Sequence, residues 1–310
     1  LKDNPEFSPV GPELLDIEIS TICHQGCTHC YKSNTSKGEN MSFETYKQLF
    51  SKFPQSLTQI AFGIGSIDGN PDLWKILKYT RDNGIIPNIT INGSRMKPYY
   101  YNKLVELCGA VAVSCYDKDV CYNSIKELTD RGLKQVNIHA LLAEETYSKC
   151  LKLIEDSKND ERLAKLNAIV FLFLKPKGKR NNFHKLEHLD LYKFLINYSF
   201  QYGARIGFDS CSAPAFIKAI KNRPDFEHLE TLTEPCESSL FSLYINAKGI
   251  SFPCSFCEGE GIRGINVLKC KDFLKDIWFK PQIIKFREKL LNNKDENGCR
   301  NCPQFNLEMK

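Results

Sequence analysis

Apolar residues recur along the chain in two rhythms. Short runs rich in β-branched and aromatic residues occur at 14–20 (LLDIEIS), 57–65 (LTQIAFGIG), 86–93 (IPNITING) and 110–116 (AVAVSCY). Further runs follow at 136–143 (VNIHALLA), 168–176 (AIVFLFLKP) and 204–211 (ARIGFDSC). Between them lie helical stretches, so the pattern predicts strands alternating with helices of roughly a dozen residues. Asn70-Pro71 is expected to open one helix as N-cap and first position, and Gly84 to stop it. Repeated β-α units argue a parallel sheet or barrel with helices outside. Six or seven units are fewer than the eight that close a barrel, so the fold class is α/β, a partial barrel. The rhythm breaks near Asn222. RPDFEHLETLTEPCE reads as a connector, dividing the chain into 1–225 and a shorter, irregular, cysteine-bearing domain at 226–310.

Composition narrows the classes. A chain of 310 residues, 42% hydrophobic and 25% charged, is long enough to bury a large core. No apolar run approaches the roughly 20 residues of a membrane span. The N-terminus has no signal-peptide layout and begins without Met, as a trimmed start would, so a cytoplasmic location is expected. A net charge of +5 over this length gives no reason to expect nucleic acid. Fourteen cysteines in such a chain point to a reducing compartment, where clustered thiols more often bind metal than pair.

The chemistry starts in ISTICHQGCTHCYKS, which places Cys23, Cys27 and Cys30 directly after the first strand. In parallel α/β folds the sites gather at that end of the strands. Cys-x3-Cys-x2-Cys lets one loop wrap three corners of a small inorganic cube, and soft thiolates suit iron–sulfur clusters or zinc. A zinc ion completed by His24 or His29 is the alternative. A second set, Cys236, Cys254, Cys257, Cys299 and Cys302, lies in the C-terminal segment. A β-hairpin through FSLYINAKGISFPC, turning at 246–249, is predicted to bring Cys236 and Cys254 together. Cys254-x2-Cys257 with Cys299-x2-Cys302 also reads as a four-thiolate zinc ribbon, although that leaves Cys236 unexplained. Cys108, Cys115, Cys121, Cys150 and Cys270 are expected to be small buried hydrophobes.

The triplet, its place after the first strand and the partial (β/α)6 barrel resemble the radical S-adenosylmethionine (SAM) superfamily. His29 stands where that family usually has an aromatic ring. The resemblance implies that Cys23, Cys27 and Cys30 bind a [4Fe–4S] cluster whose fourth iron is chelated by SAM. One electron then cleaves SAM to methionine and a 5′-deoxyadenosyl radical, which abstracts a hydrogen atom; an external flavodoxin- or ferredoxin-like donor is implied. The family's GGE-like turn corresponds to Gly63, Gly65 and Ser66 in FGIGSIDGNPDLW, with Ile64 in the middle and the acidic residue displaced to Asp68. Asn92, Ser114 and His139, on later strands, are the further SAM contacts the resemblance implies; for His139 a core role is the alternative. Cys236, twelve residues, Gly249, four residues and Cys254 resemble the opening of the SPASM extension, here shortened to its "twitch" form. That implies one auxiliary [4Fe–4S] cluster on Cys236, Cys254, Cys299 and Cys302, with Cys257 a spare thiol. The implied cofactors are therefore two [4Fe–4S] clusters and SAM.

Asp209 and Cys211 are expected to alternate onto one face of the seventh strand, as a hydrogen-bond or proton acceptor and a hydrogen-atom donor. The basic loop KPKGKRNNFHK (175–185) lies at the predicted mouth, as an anion-attracting or simply solvated segment. The substrate is read as a peptide, because KPYYYNK (97–103) and the basic loop offer surface for a longer chain. A sugar, cyclitol or nucleotide is the alternative, since about a dozen residues before the first strand leave no room for a leader-binding domain. A non-catalytic zinc or iron–sulfur protein is the third class.

Overall fold

The computed structural model describes residues 5–309. Among the described residues ten strands form: β1 (Leu14–Ser20), β2 (Gln59–Ile64), β3 (Ile86–Ile91), β4 (Val111–Ser114), β5 (Val136–Leu142), β6 (Ala168–Phe173), β7 (Ile206–Phe208), β8 (Ser242–Ile245), β9 (Ile250–Phe252) and β10 (Ile265–Asn266). The first seven fall on the seven apolar runs, and a helix follows each of them. The chain packs into two compact units. One holds the stretches ending at Gly26, Lys32–Val111 and Glu237–Lys289; the other holds Cys27–Tyr31, Ala112–Cys236 and the stretch from Leu290.

In the first unit the strand order is β10-β9-β8-β1-β2-β3. β1 pairs parallel to β2 from Leu14↔Gln59 and parallel to β8 from Leu14↔Ser242. β8 and β9 form the expected antiparallel hairpin, turning over Asn246–Gly249. Its docking beside β1 was not readable from local pattern. Alternation divides the strands by face: Leu15, Ile17, Ile19, Ile60, Phe62 and Leu243 are buried core, while Asp16, Glu18 and Tyr244 take the other side. A charged pair on one face of a central strand marks that face as functional space. In the second unit, β4, β5, β6 and β7 follow in sequence order, with β5–β6 and β6–β7 parallel. Val136, Ile138, Ile169 and Phe171 pack as core, and His139 and Val170 face the opposite way.

Two local expectations are corrected. Asp72, not Asn70, is the residue before the helix Leu73–Asp82. Asn70 is buried and its amide donates to the carbonyls of Ile19 (2.7 Å) and Met41 (2.9 Å), bracing the end of β1, while its Oδ1 accepts from Asp72 N–H (2.9 Å) just ahead of the helix. Tyr100 and Tyr101 of KPYYYNK lie in the helix Pro98–Leu107 and are buried; only Tyr99 of the three tyrosines is exposed. That segment is helix and not the loop expected, with two of its three rings turned into the core.

Candidate functional site

The cysteine loop leaves β1 and returns along it. Thr21 N–H donates to the Glu39 carbonyl and Cys23 N–H to the Thr35 carbonyl, both at 2.9 Å. The turn after β2 packs directly on this loop. A Cβ placed on Gly65 would lie 2.4 Å from the Ile22 oxygen and 2.7 Å from the Cys23 Cβ, so only glycine fits. Gly63 is different, since its nearest neighbour would be the Glu18 Cα at 3.5 Å, an ordinary contact. Ser66 is buried; its N–H donates to the Ile22 carbonyl (2.9 Å) and its Oγ accepts from His24 N–H (3.2 Å). Asn92 donates from Nδ2 to the Gly65 carbonyl (2.8 Å) and accepts from Ser94 N–H (3.0 Å). Asp68 pairs with Arg95 at 2.7 Å. Gly65, Ser66 and Asn92 thus converge on Cys23, through contacts that hold backbone.

Cys27 and Cys30 belong to the second unit. Cys30 N–H reaches the Cys27 carbonyl at 3.4 Å, closing a turn. Gly178, at φ +108°, lies against it: a Cβ there would stand 2.4 Å from the Cys30 oxygen. The His29 ring sits between Tyr116 and Phe183, with centroids 5.1 and 5.0 Å away, and its Nε2 is buried with no hydrogen-bond partner among the described residues. The basic loop is largely engaged. Lys175 is buried at its start, Gly178 approaches Cys30, and Lys185 donates to the Glu308 carbonyl at 2.8 Å.

The seventh strand ends at Phe208, three residues short of the apolar run's end, so the proposed alternation of Asp209 and Cys211 does not exist. Asp209 instead precedes a 3-10 turn, Ser210–Ser212, which places Cys211 within that turn. The two are gathered by a residue that pattern did not single out. Lys175 Nζ forms an ion pair with Asp209 and a hydrogen bond with Cys211. Burial works against the lysine's charge, but Cys211 and Asp209 more than offset it and push its pKa up. Ser212 Oγ donates to the other Asp209 oxygen at 2.7 Å. His139 is pushed down to about 4 by burial, with the Asp209 charge opposing, so it is neutral near pH 7. Ser114 is the buried last residue of β4.

In the C-terminal segment, Arg300 Nε donates to the Cys236 carbonyl (3.0 Å), and Asp295 Oδ1 accepts from Cys299 N–H (2.9 Å). These bonds bring Cys236 to the Cys299–Cys302 knuckle. Cys302 and Cys211 both line a cavity of about 290 Å³ together with Lys218 and Asn301. In the first unit the Cys254 and Cys257 sulfurs stand 3.5 Å apart, and Cys257 is buried. Thiolates on different irons of one cube stand farther apart than that, so in this arrangement the pair offers one cube corner between them. All fourteen cysteines are free thiols. The donor set is therefore the soft, unoxidised kind an iron–sulfur cluster takes, and the side-chain-free approach at Gly65 seats the turn after β2 against the first cysteine loop.

Sequence reasoning missed a polar cluster in the first unit. Lys32 forms ion pairs with Glu258 and with Glu18 (3.3 Å), its Nζ donates to the Tyr244 hydroxyl (2.5 Å), and it lies 4.6 Å from the centroid of the Tyr244 ring. Glu18 inside the apolar run LLDIEIS was the available signal: a charge there needs a partner.

Residues 236–303 match the SPASM family, an iron–sulfur cluster-binding domain. The AdoMet-dependent heme synthase of Methanosarcina barkeri is 22% identical, covering 79% of this chain and 77% of its own. The crystal structure of Streptococcus suis SuiB bound to the precursor peptide SuiA superposes with a TM-score of 0.71 at 16% identity, over 96% of this chain and 75% of that one. anSMEcpe with bound AdoMet and the Cp18Cys peptide gives 0.64 at 15% identity, over 88% and 83%. The fold is thus the partial barrel expected, followed by an iron–sulfur domain. Among the described residues, no helix is long and apolar enough to cross a membrane.

Proposed function

We propose that the chain is a radical SAM enzyme with a SPASM-type iron–sulfur domain, and that it oxidises a peptide substrate after hydrogen-atom abstraction. The observation that supports this placement of its chemistry is the glycine turn after β2, packed against the Ile22 carbonyl and the Cys23 Cβ. We assign Cys23, Cys27 and Cys30 to the SAM-binding cluster, and Cys236, Cys254, Cys299 and Cys302 to an auxiliary cluster within a domain beginning near residue 226. Cys23, Cys27 and Cys30 would hold a cluster that, when bound, would supply the electron for reductive cleavage of SAM.

The chain's own residues divide the remaining work. Gly63 and Gly65 let backbone approach the methionine end of SAM. Ser66 and Asn92 hold that turn, and the unpartnered Nε2 of His29 supplies a polar contact beside Cys30. Ser114 and neutral His139 are assigned to SAM as uncharged donors or acceptors at their strands. Asp209, held in place by Lys175 and Ser212, accepts a hydrogen bond from the substrate. Cys211, engaged by Lys175, would be the hydrogen-atom donor of an epimerisation, whereas an auxiliary cluster with all four irons held by thiolates would accept the substrate radical's electron. That supports oxidation over epimerisation. A peptide is favoured because SuiB and anSMEcpe are both seen with peptides bound. The heme synthase relative supports a small-molecule substrate as the second reading.

Protein purified without oxygen should carry about eight irons, four per cluster. Changing Cys23, Cys27 and Cys30 together to Ala should remove about half of them and abolish SAM cleavage under dithionite. Stoichiometric zinc with no absorbance near about 400 nm, where iron–sulfur clusters absorb, would remove the reading altogether. In heavy water an oxidised product should carry no solvent deuterium at the abstracted carbon; deuterium there, with product lost in Cys211→Ala, would establish epimerisation instead.

A further inference from the structure

Two stretches that carry cysteines, 21–35 and 253–264, contain little regular structure to hold them. Each ends its cysteine motif beside a charged residue. Lys32 follows Cys30 by two positions, and Glu258 follows Cys257 by one. The two side chains meet in an ion pair inside the first unit, with side-chain exposures of 10% for Lys32 and 29% for Glu258.

The surroundings make this more than a surface pair. Glu18 on β1, 8% exposed, supplies a second carboxylate to the same ammonium at 3.3 Å. Tyr244 on β8 donates its hydroxyl to Glu18 (2.9 Å), and its ring lies under the lysine. Asn246, in the hairpin turn, donates from Nδ2 to the free side of Glu258 at 2.5 Å. Each carboxylate oxygen of Glu258 therefore has a fixed partner, from Lys32 on one side and Asn246 on the other. A buried network of this kind adds little net stability but admits one arrangement, because removing a member leaves a charge without its complement. What it fixes here is the loop bearing Cys254, four residues from Glu258, against the strands β1 and β8.

We propose that Lys32 and Glu258 are positioning residues for the auxiliary cluster: their ion pair sets the Cys254 loop, so that a residue in the SAM-cluster segment governs occupancy of the second cluster. This rests on the assignment of Cys254 to that cluster, and it goes beyond it by giving the site a dependence on Lys32.

The experiment counts iron per chain and records the spectra of the reduced clusters in the full-length protein. Lys32→Met and Glu258→Gln should each lower iron from about eight to about four, keeping the cluster signal that changes on adding SAM. Lys32→Arg, which preserves the ion pair, should retain full iron. Lys32→Met combined with Glu258→Gln should remove no more iron than either change alone, since both break the same pair. Full iron and unchanged spectra in both Lys32→Met and Glu258→Gln would overturn the proposal. So would single variants that lose both clusters equally, since that is general destabilisation, or a double variant that loses clearly more iron than either single one. If the wild-type protein itself holds only four irons, the assignment of the auxiliary cluster fails first, and the two failures are distinguished.

Discussion

At Gly65 a single methyl group would meet the Ile22 carbonyl oxygen at 2.4 Å, and that oxygen is backbone, unable to swing aside. Gly65→Ala should therefore displace the Cys23 loop and lose about half of the bound iron, on the count of two four-iron clusters. Gly63→Ala, with 3.5 Å to its nearest neighbour, should retain all of it. Iron analysis of the two variants side by side makes the comparison. His139 provides a residue-level test of a different kind. Its folded pKa of about 4 lies below the ordinary 6.5, so between those values the unfolded chain takes up a proton that the folded chain refuses. Stability should fall as pH drops from about 6.5 towards 4 and level off below, by about 3 kcal/mol in all from this group. His139→Gln should flatten that part of the acid limb in urea titrations. If the limb is unchanged, His139 is protonated in the folded protein.

The elements show which parts of the fold a local pattern can carry. Seven apolar runs gave seven strands because each satisfies the strand period within its own few residues. The hairpin β8–β9 was equally visible, but its partner was not: the pairing of β8 with β1 depends on a register between segments that share no local signal. The same limit hid Lys175, Lys32 and Glu258, whose meaning lies in partners far along the chain. Asp209 and Cys211 illustrate the opposite error. Alternation was extended past Phe208, where the backbone turns into a 3-10 helix, and the true connection between the pair is Lys175. Removing that connection should be costly. Lys175→Met leaves Asp209 without its cation and should destabilise the protein by about 3 kcal/mol or more, whereas Lys175→Met with Asp209→Asn should recover part of the loss. Denaturant midpoints would measure both. Additive losses in the double variant would mean that the ion pair contributes nothing specific.

At the scale of the molecule, the two thiol sets were legible early, since cysteine spacing is a strong signal, but the polar face of the first unit's sheet was missed although Glu18 interrupts an apolar run. The division into compact units was not, because each unit is assembled from segments distant in sequence. The strand β8 gives this a consequence in time. Leu14 and Ser242 are neighbours in the sheet but roughly 230 residues apart; at ribosomal rates the second arrives roughly ten seconds or more after the first. Throughout that interval β1 presents an unpaired edge of apolar strand, the kind that recruits other chains. A protein ended at residue 225 would keep that edge open for good. It should aggregate when produced alone, and co-production of 226–310 should increase its soluble fraction, as sedimentation of the lysate would show. A soluble, monomeric 1–225 would mean that the nascent strand is shielded by something other than the hairpin. Otherwise the covering of β1 is a late step of translation-coupled folding, and a chain released before Ile245 keeps that edge exposed.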